Sequence, residues 1–215
     1  MRILFKTNYK QDLNLAKHGG HRFWYGLLIL VLFAAPLILG GYYIGEATRI
    51  LIYAMAGLGL MVVTGFTGQV SLGHAAFLAI GAYTNAWFLA QGFSSFVALP
   101  MAALLSMIGG LLVAIPAARM SGIYLAIATL AFAIIVEDFA GHLNSITGGN
   151  RGMMVDVPMM FGYQIWESWE LYLFVLSILV VVTLAVLNIL RSPLGRAMIA
   201  VRDSEVSSQA LGVNP

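Results

Sequence analysis

Residues 64–77 read TGFTGQVSLGHAAF, a polar, glycine-rich stretch set between two strongly apolar segments. Gly65, Gly68 and Gly73 loosen the backbone. Thr67, Gln69, Ser71 and His74 bring hydrogen-bonding groups where the flanking hydropathy calls for Leu and Val. In a soluble protein this would be an ordinary loop. The surrounding chain is not of that kind: 60% of its 215 residues are hydrophobic and 9% charged, whereas a soluble domain carries roughly 25% charged residues. The composition places the chain among membrane proteins, and the polar stretch has to be accommodated there.

The same composition excludes several classes. There is no Cys, so neither a disulfide framework nor a thiolate metal site is available. G-x-S-x-G, H-E-x-x-H and Walker-type motifs are absent from the sequence. No catalytic residue, metal-ligand set or cofactor is therefore expected. The formal charge of +2 is small, and membrane topology accounts for the basic residues without a nucleic-acid partner. Twenty-three glycines suit helices whose backbones approach closely.

The expected fold is all-α, a polytopic transmembrane helical bundle of about six spans. A basic cytoplasmic segment at 1–22 comes first, read either as an amphipathic surface helix or as a frayed tail. The transmembrane domain covers 23–190, and 191–215 is polar again. Apolar runs lie at 23–39, 50–63, 72–89, 96–118, 123–140 and 171–190. The second run covers only roughly 21 Å, short of the ~30 Å hydrocarbon core. It is expected to need the polar stretch 64–71 to finish the crossing, inside protein or beside a wet cavity. In the third run Ala75, Ala79, Ala82 and Ala86 form a small-residue seam expected to pack on another helix. Gly122 and Ala126 show small-xxx-small spacing. Ser192-Pro193 is a helix start, and Asp203 is expected to cap a second short helix that Gly212 ends.

Orientation follows from charge. Six spans put both termini on one side, with Arg2, Lys6, Lys10, Lys17, Arg22, Arg119, Arg191, Arg196 and Arg202, against Arg49 and Arg151 on the other. Cytoplasmic N- and C-termini follow by the positive-inside rule. The longest polar connection, 141–170, is then external, and its Trp166 and Trp169 suit the membrane interface.

Thr67, Gln69, Ser71 and His74 have two readings: a substrate path, since polar groups within a membrane are costly and often functional, or helix-to-helix hydrogen bonding at a tight turn. Glu137 and Asp138 lie roughly 22 Å along the fifth run, in the outer third of the bilayer. They are read either as a group binding ammonium or carrying a proton, or as interfacial side chains facing water. Being adjacent, they point about 100° apart and do not form a paired acid–base site.

Residues 67–83, TGQVSLGHAAFLAIGAY, resemble the permeases of branched-chain amino acid ABC importers. So do SGIYLAIATLAFA at 121–133, TGGNRGM at 147–153 and RSPLGRAMIAVRDSEVSSQALGVNP at 191–215. The order and wording are nearest to the family's LivM-type subunit. The resemblance implies a permease subunit of an ABC importer for Leu, Ile or Val, multi-pass in a bacterial inner (plasma) membrane. It implies a second homologous permease subunit, two cytoplasmic ATP-binding subunits that hydrolyse ATP, and a periplasmic or extracellular substrate-binding protein. Thr67, Gln69, Ser71 and His74 would line or support the path. Residues 191–215 would start the coupling region, with Arg196, Arg202 and Glu205 near the ATPase. Family members continue into further spans, so a C-terminal part is apparently missing here. Urea and short-chain amide permeases share these motifs. A truncated, non-transporting membrane scaffold is the alternative of another class. TGGNRGM also departs from the usual TGGSNGL, with Arg151 adding a charge.

Overall fold

The computed structural model describes residues 19–117, 120, 122–155, 157–160 and 163–213. The basic segment up to residue 18, Arg119 and the last two residues lie outside the described residues. The expectations placed on 1–18 and on Arg119 fall there with them.

The described chain is nearly all helix, as its apolar runs predict. Helix α1 spans Gly19–Ile38 with Pro36 inside it. α2 spans Gly41–Leu60 and passes without a break into a π-helical segment, Met61–Phe66. α3 is His74–Ala90, α4 Ser95–Ala117 and α5 Ile123–His142. The connection between α5 and the next long helix holds a single turn, α6 (Asn144–Thr147), and a 3-10 turn at Gly149–Arg151. It also holds a two-residue antiparallel hairpin, β1 (Met159–Met160) with β2 (Tyr163–Gln164). α7 is Ser168–Arg191, α8 Pro193–Asp203 and α9 Glu205–Ala210.

Four of these helices are long and apolar enough to cross a membrane: Gly41–Phe66, Ser95–Ala117, Ile123–His142 and Ser168–Arg191. The apolar stretch Phe23–Ile38 and the 17-residue α3 are shorter. The second span corrects the sequence reading. It begins at Gly41 rather than Ile50, so residues 41–63 alone run about 35 Å and the crossing needs nothing from 64–71. Glu46 and Arg49 had hidden this start by lowering the local hydropathy. They pair at 3.0 Å, one helical turn apart, and so sit in the helix as an ion pair.

Packing is sparse, with large apolar side chains exposed along every long helix. Lipid is as apolar as Leu, so helices in a bilayer associate through close packing and hydrogen bonds. Two such contacts organise the fold. Ile44 and Leu51 of α2 meet Tyr172, Val175 and Leu176 of α7 in the buried core, and the Tyr172 hydroxyl donates to the Leu32 carbonyl of α1 at 2.9 Å. α3 and α4 meet through small residues: Gly81 faces Ser106, Gly109 faces Ile80, and the Ser106 hydroxyl donates to the Phe77 carbonyl.

The α3 face on α4 is thus Phe77, Ile80 and Gly81, not the alanine seam. Of that seam Ala75 and Ala82 are exposed and only Ala86 is buried. The reason is size. Bulky residues of one helix fit over the glycines and serine of the other, which brings the backbones together as effectively as facing alanines. Gly122 precedes α5 as its cap, so it does not share a helix face with Ala126.

Past α7 the chain follows its local signals. Ser192 caps α8 through its side chain, with Pro193 as the first helical residue. The cap of α9 is Ser204, not Asp203. Asp203 ends α8 and is engaged by Arg202, so its carboxylate is not free to accept from the α9 amides.

Candidate functional site

Phe66 ends the π-helical segment, and the backbone is non-helical from Thr67 to Gly73 before α3 begins at His74. The sequence explains the break: a glycine at every third to fifth position and no run of strong helix formers. Where the segment lies is a tertiary fact. The Leu72 amide donates to Thr129 Oγ1 at 3.0 Å, and a Cβ on Gly73 would sit 2.4 Å from the Thr129 carbonyl oxygen. Thr129 is six residues into α5, about 9 Å along it. His74 stands against Gly59 of α2, about 10 Å back from Phe66. The chain therefore descends through α2, turns at 67–68 and climbs back as an extended strip beside α5 before α3 starts.

Backbone groups at such a break need partners, because lipid supplies none. The Val62 carbonyl accepts from the Thr67 amide, and the Val63 carbonyl from the Gln69 amide and the Thr67 hydroxyl. The Gly65 carbonyl accepts from Arg202 Nη1 of α8 at 2.7 Å. The stem of Arg202 also covers Gly68. His74 Nε2 lies 2.9 Å from the Ala56 carbonyl. A carbonyl can only accept, so Nε2 carries the proton there. The ring also packs edge-on to Phe77.

Of the four residues singled out in this stretch, Thr67 and His74 thus hold the break in shape. Gln69 is exposed and Ser71 half-buried. None of them is among the residues lining the nearby cavity. That cavity, about 520 Å³, lies between α3, α5 and the 3-10 turn. Ala75, Ala79 and Tyr83 line one side, Ala133 and Glu137 a second, and Asn150 and Arg151 a third. Two members of the alanine seam therefore face a void. A neighbouring groove of about 460 Å³, lined by Trp87, Phe88, Phe139 and Leu143 among others, carries no charged residue.

Glu137 and Asp138 diverge as helix geometry requires. Glu137 lines the cavity. Asp138 points to the surface, where His142 Nδ1 lies 3.4 Å from its carboxylate. Arg196 is exposed and donates to the Arg191 carbonyl, and Glu205 is the exposed first residue of α9. Sequence reasoning did not join Arg151, Asn150 and Tyr83 to Glu137. The one available signal was the extra charge at Arg151; bringing residues 83, 137 and 151 together is the work of the fold.

The family model described as branched-chain amino acid transport system, permease component, matches residues 42–215. The high-affinity branched-chain amino acid transport system permease protein LivM of Salmonella typhimurium strain LT2 is 36% identical over 213 residues, covering 87% of this chain and 50% of that protein. The LivM protein of Escherichia coli K12 is 36% identical over 218 residues, covering 90% of this chain and 51% of that protein. The chain spans about half the length of these curated relatives. No solved structure matches it.

Proposed function

This chain belongs to the permease family of branched-chain amino acid transport systems, and from that premise we propose that it forms part of the transmembrane pathway of an ABC importer for Leu, Ile or Val. In this reading six helices span the bacterial inner membrane, α1 to α5 and α7, with both termini in the cytoplasm. α8 and α9 then face an ATP-binding subunit, and the outer connection faces a substrate-binding protein. A second, homologous permease covers the exposed apolar helix faces. ATP is hydrolysed by the separate subunits, and this chain carries the movement.

The observation that supports the reading most is the break at 67–73 and its tie to α8. A non-helical strip alongside α5 is tolerated where it is enclosed by protein or lines a path. The Gly65 carbonyl, in the π-helical segment that leads into the strip, is held by Arg202 of the helix next to the proposed ATPase. Movement of α8 is thereby passed to the strip bearing Thr67, Gln69 and Ser71 and to His74 at the start of α3. Two packed arrangements of this strip would give alternating access, the ATPase state deciding between them.

The test is a pull-down of tagged protein from its native membranes, paired with uptake of labelled leucine by vesicles of the same membranes. Recovery with a second permease and an ATPase, with ATP-dependent uptake, is expected. Recovery alone and without uptake overturns the reading. Gln69→Ala or His74→Ala with normal assembly and unchanged uptake would remove those residues from the path.

A further inference from the structure

We propose that the cavity between α3, α5 and the Gly149–Arg151 turn is a zwitterion site, in which Glu137 takes the ammonium and Arg151 the carboxylate of an aliphatic α-amino acid. The proposal rests on the transport reading and adds to it the residues that would hold the substrate.

Four observations meet at this place. The volume, about 520 Å³, falls within the roughly 300–1,000 Å³ usual for small-molecule sites. Glu137 and Arg151 arrive from different elements, the outer end of α5 and the loop that follows it, and line the same void. Among the described residues neither is in an ion pair, whereas Glu46 and Asp203 are. Glu137 and Arg151 are both exposed, so water reaches each charge from the open side, and the void presents one of each sign to a ligand that carries both. Beside Tyr83 and Asn150, the remaining wall is built mostly from short residues. Ala75, Ala79, Ala133 and Val136 leave room for, and suit, a branched hydrocarbon side chain.

The arrangement also discriminates. A neutral solute such as urea or a short-chain amide would displace water from both charges without neutralising either, which is costly. An amine or a carboxylic acid alone would satisfy one charge and strand the other. Only a zwitterion satisfies both. The adjoining groove has no charged lining and offers no such selection.

Residues 1–215 hold no Cys, and vesicles without an introduced thiol give the labelling background. Ala79→Cys is placed in the otherwise native transporter in membrane vesicles, with Met154→Cys, 96% exposed on the outer loop, as the reference. Labelling by a charged methanethiosulfonate is followed with leucine, 4-methylpentanoate or isoamylamine present. Leucine is expected to slow labelling of Ala79→Cys at least fivefold, the two half-analogues much less, and none to affect Met154→Cys. In parallel, Glu137→Gln and Arg151→Gln are each expected to raise the KM for leucine uptake at least tenfold. Unchanged labelling of Ala79→Cys under leucine overturns the zwitterion site, as does a KM within twofold of wild type in both variants. Either result leaves the transport reading standing if the unmodified vesicles import leucine. Absence of uptake by the unmodified vesicles overturns both. The labelling arm does not depend on the folding of the charge variants.

Discussion

The guanidinium of Arg202 donates a hydrogen bond to the carbonyl oxygen of Gly65 across 2.7 Å, joining residues 137 apart in sequence. The same side chain holds Asp203 through Nε and Nη2 at 3.0 and 2.8 Å. One arginine therefore ties the end of α8 to the carbonyl end of the π-helical segment. Replacing it with Ala is expected to cost about 1 kcal/mol of stability at most, since the side chain is partly exposed to screening solvent. Its effect on coupling is expected to be larger: leucine uptake falls several-fold while ATP hydrolysis persists. Arg202→Lys is expected to behave like Ala, because one ammonium nitrogen lacks the spread of donors by which Nη1 reaches Gly65 while Nε and Nη2 hold Asp203. Uptake and ATP hydrolysis measured on the same vesicles check this.

Thr129 gives its hydroxyl oxygen to the Leu72 amide and its hydroxyl proton to the Ala126 carbonyl. Thr129→Val keeps the shape and strands the amide of Leu72 in a water-poor site. A loss of about 1–3 kcal/mol is expected, read as a lower thermal midpoint of the detergent-purified protein. Thr129→Ser retains both bonds and is expected to stay near wild type.

Gly73 allows no side chain. A Cβ there would meet the Thr129 carbonyl oxygen at 2.4 Å, backbone against backbone. Gly73→Ala is expected to cost about 1–3 kcal/mol or more through forced separation of the strip from α5. Gly57, with open space around its Cβ position, is the control: Gly57→Ala is expected to leave the midpoint unchanged or slightly raised. Thermal unfolding followed by size exclusion distinguishes the two.

Gly195 marks a second close approach. A Cβ would lie 2.5 Å from the Ile189 carbonyl oxygen and from Leu190 Cα, where α8 folds back on the end of α7. Gly195→Ala is expected to open this corner while the spans stay inserted. Recovery of the ATP-binding subunit in a pull-down should then fall sharply, with the amount of chain in the membrane little changed.

Tyr163, on the β1–β2 hairpin, donates to Glu170 Oε1 at 2.9 Å. That hydrogen bond, then the negative charge of Glu170, raises the phenol above its ordinary value of 10.0. A raised value means the protonated form is favoured by the fold. The contact thus contributes fully below the unfolded value near 10 and is lost as pH rises through the folded one. The absorbance at 295 nm that disappears in Tyr163→Phe should titrate above pH 10, and Glu170→Gln should bring it back down.

Much of this was legible in the chain. The long apolar runs at 96–118, 123–140 and 171–190 became α4, α5 and α7 within three residues at each end. Ser192-Pro193 capped α8 as its chemistry requires. The second span was read short because hydropathy counts Glu46 and Arg49 as two charges, whereas the helix presents them as one ion pair. The alanine seam was assigned to packing because size alone does not say which face meets a neighbour.

Local chemistry determined the helical class, the membrane setting, the break at 67–73 and the caps after α7, because hydropathy, glycine and hydroxyl capping act over a few residues. The tertiary structure alone decided that Thr129 holds Leu72, that Arg202 reaches Gly65, and that Glu137 shares a cavity with Arg151. These are juxtapositions of residues 14 to 137 apart, from Glu137 and Arg151 around one cavity at the near end to the Gly65–Arg202 hydrogen bond at the far end. They depend on which helix faces meet and at what depth, and with little hydrophobic force between helices in lipid, those choices rest on close packing and individual hydrogen bonds.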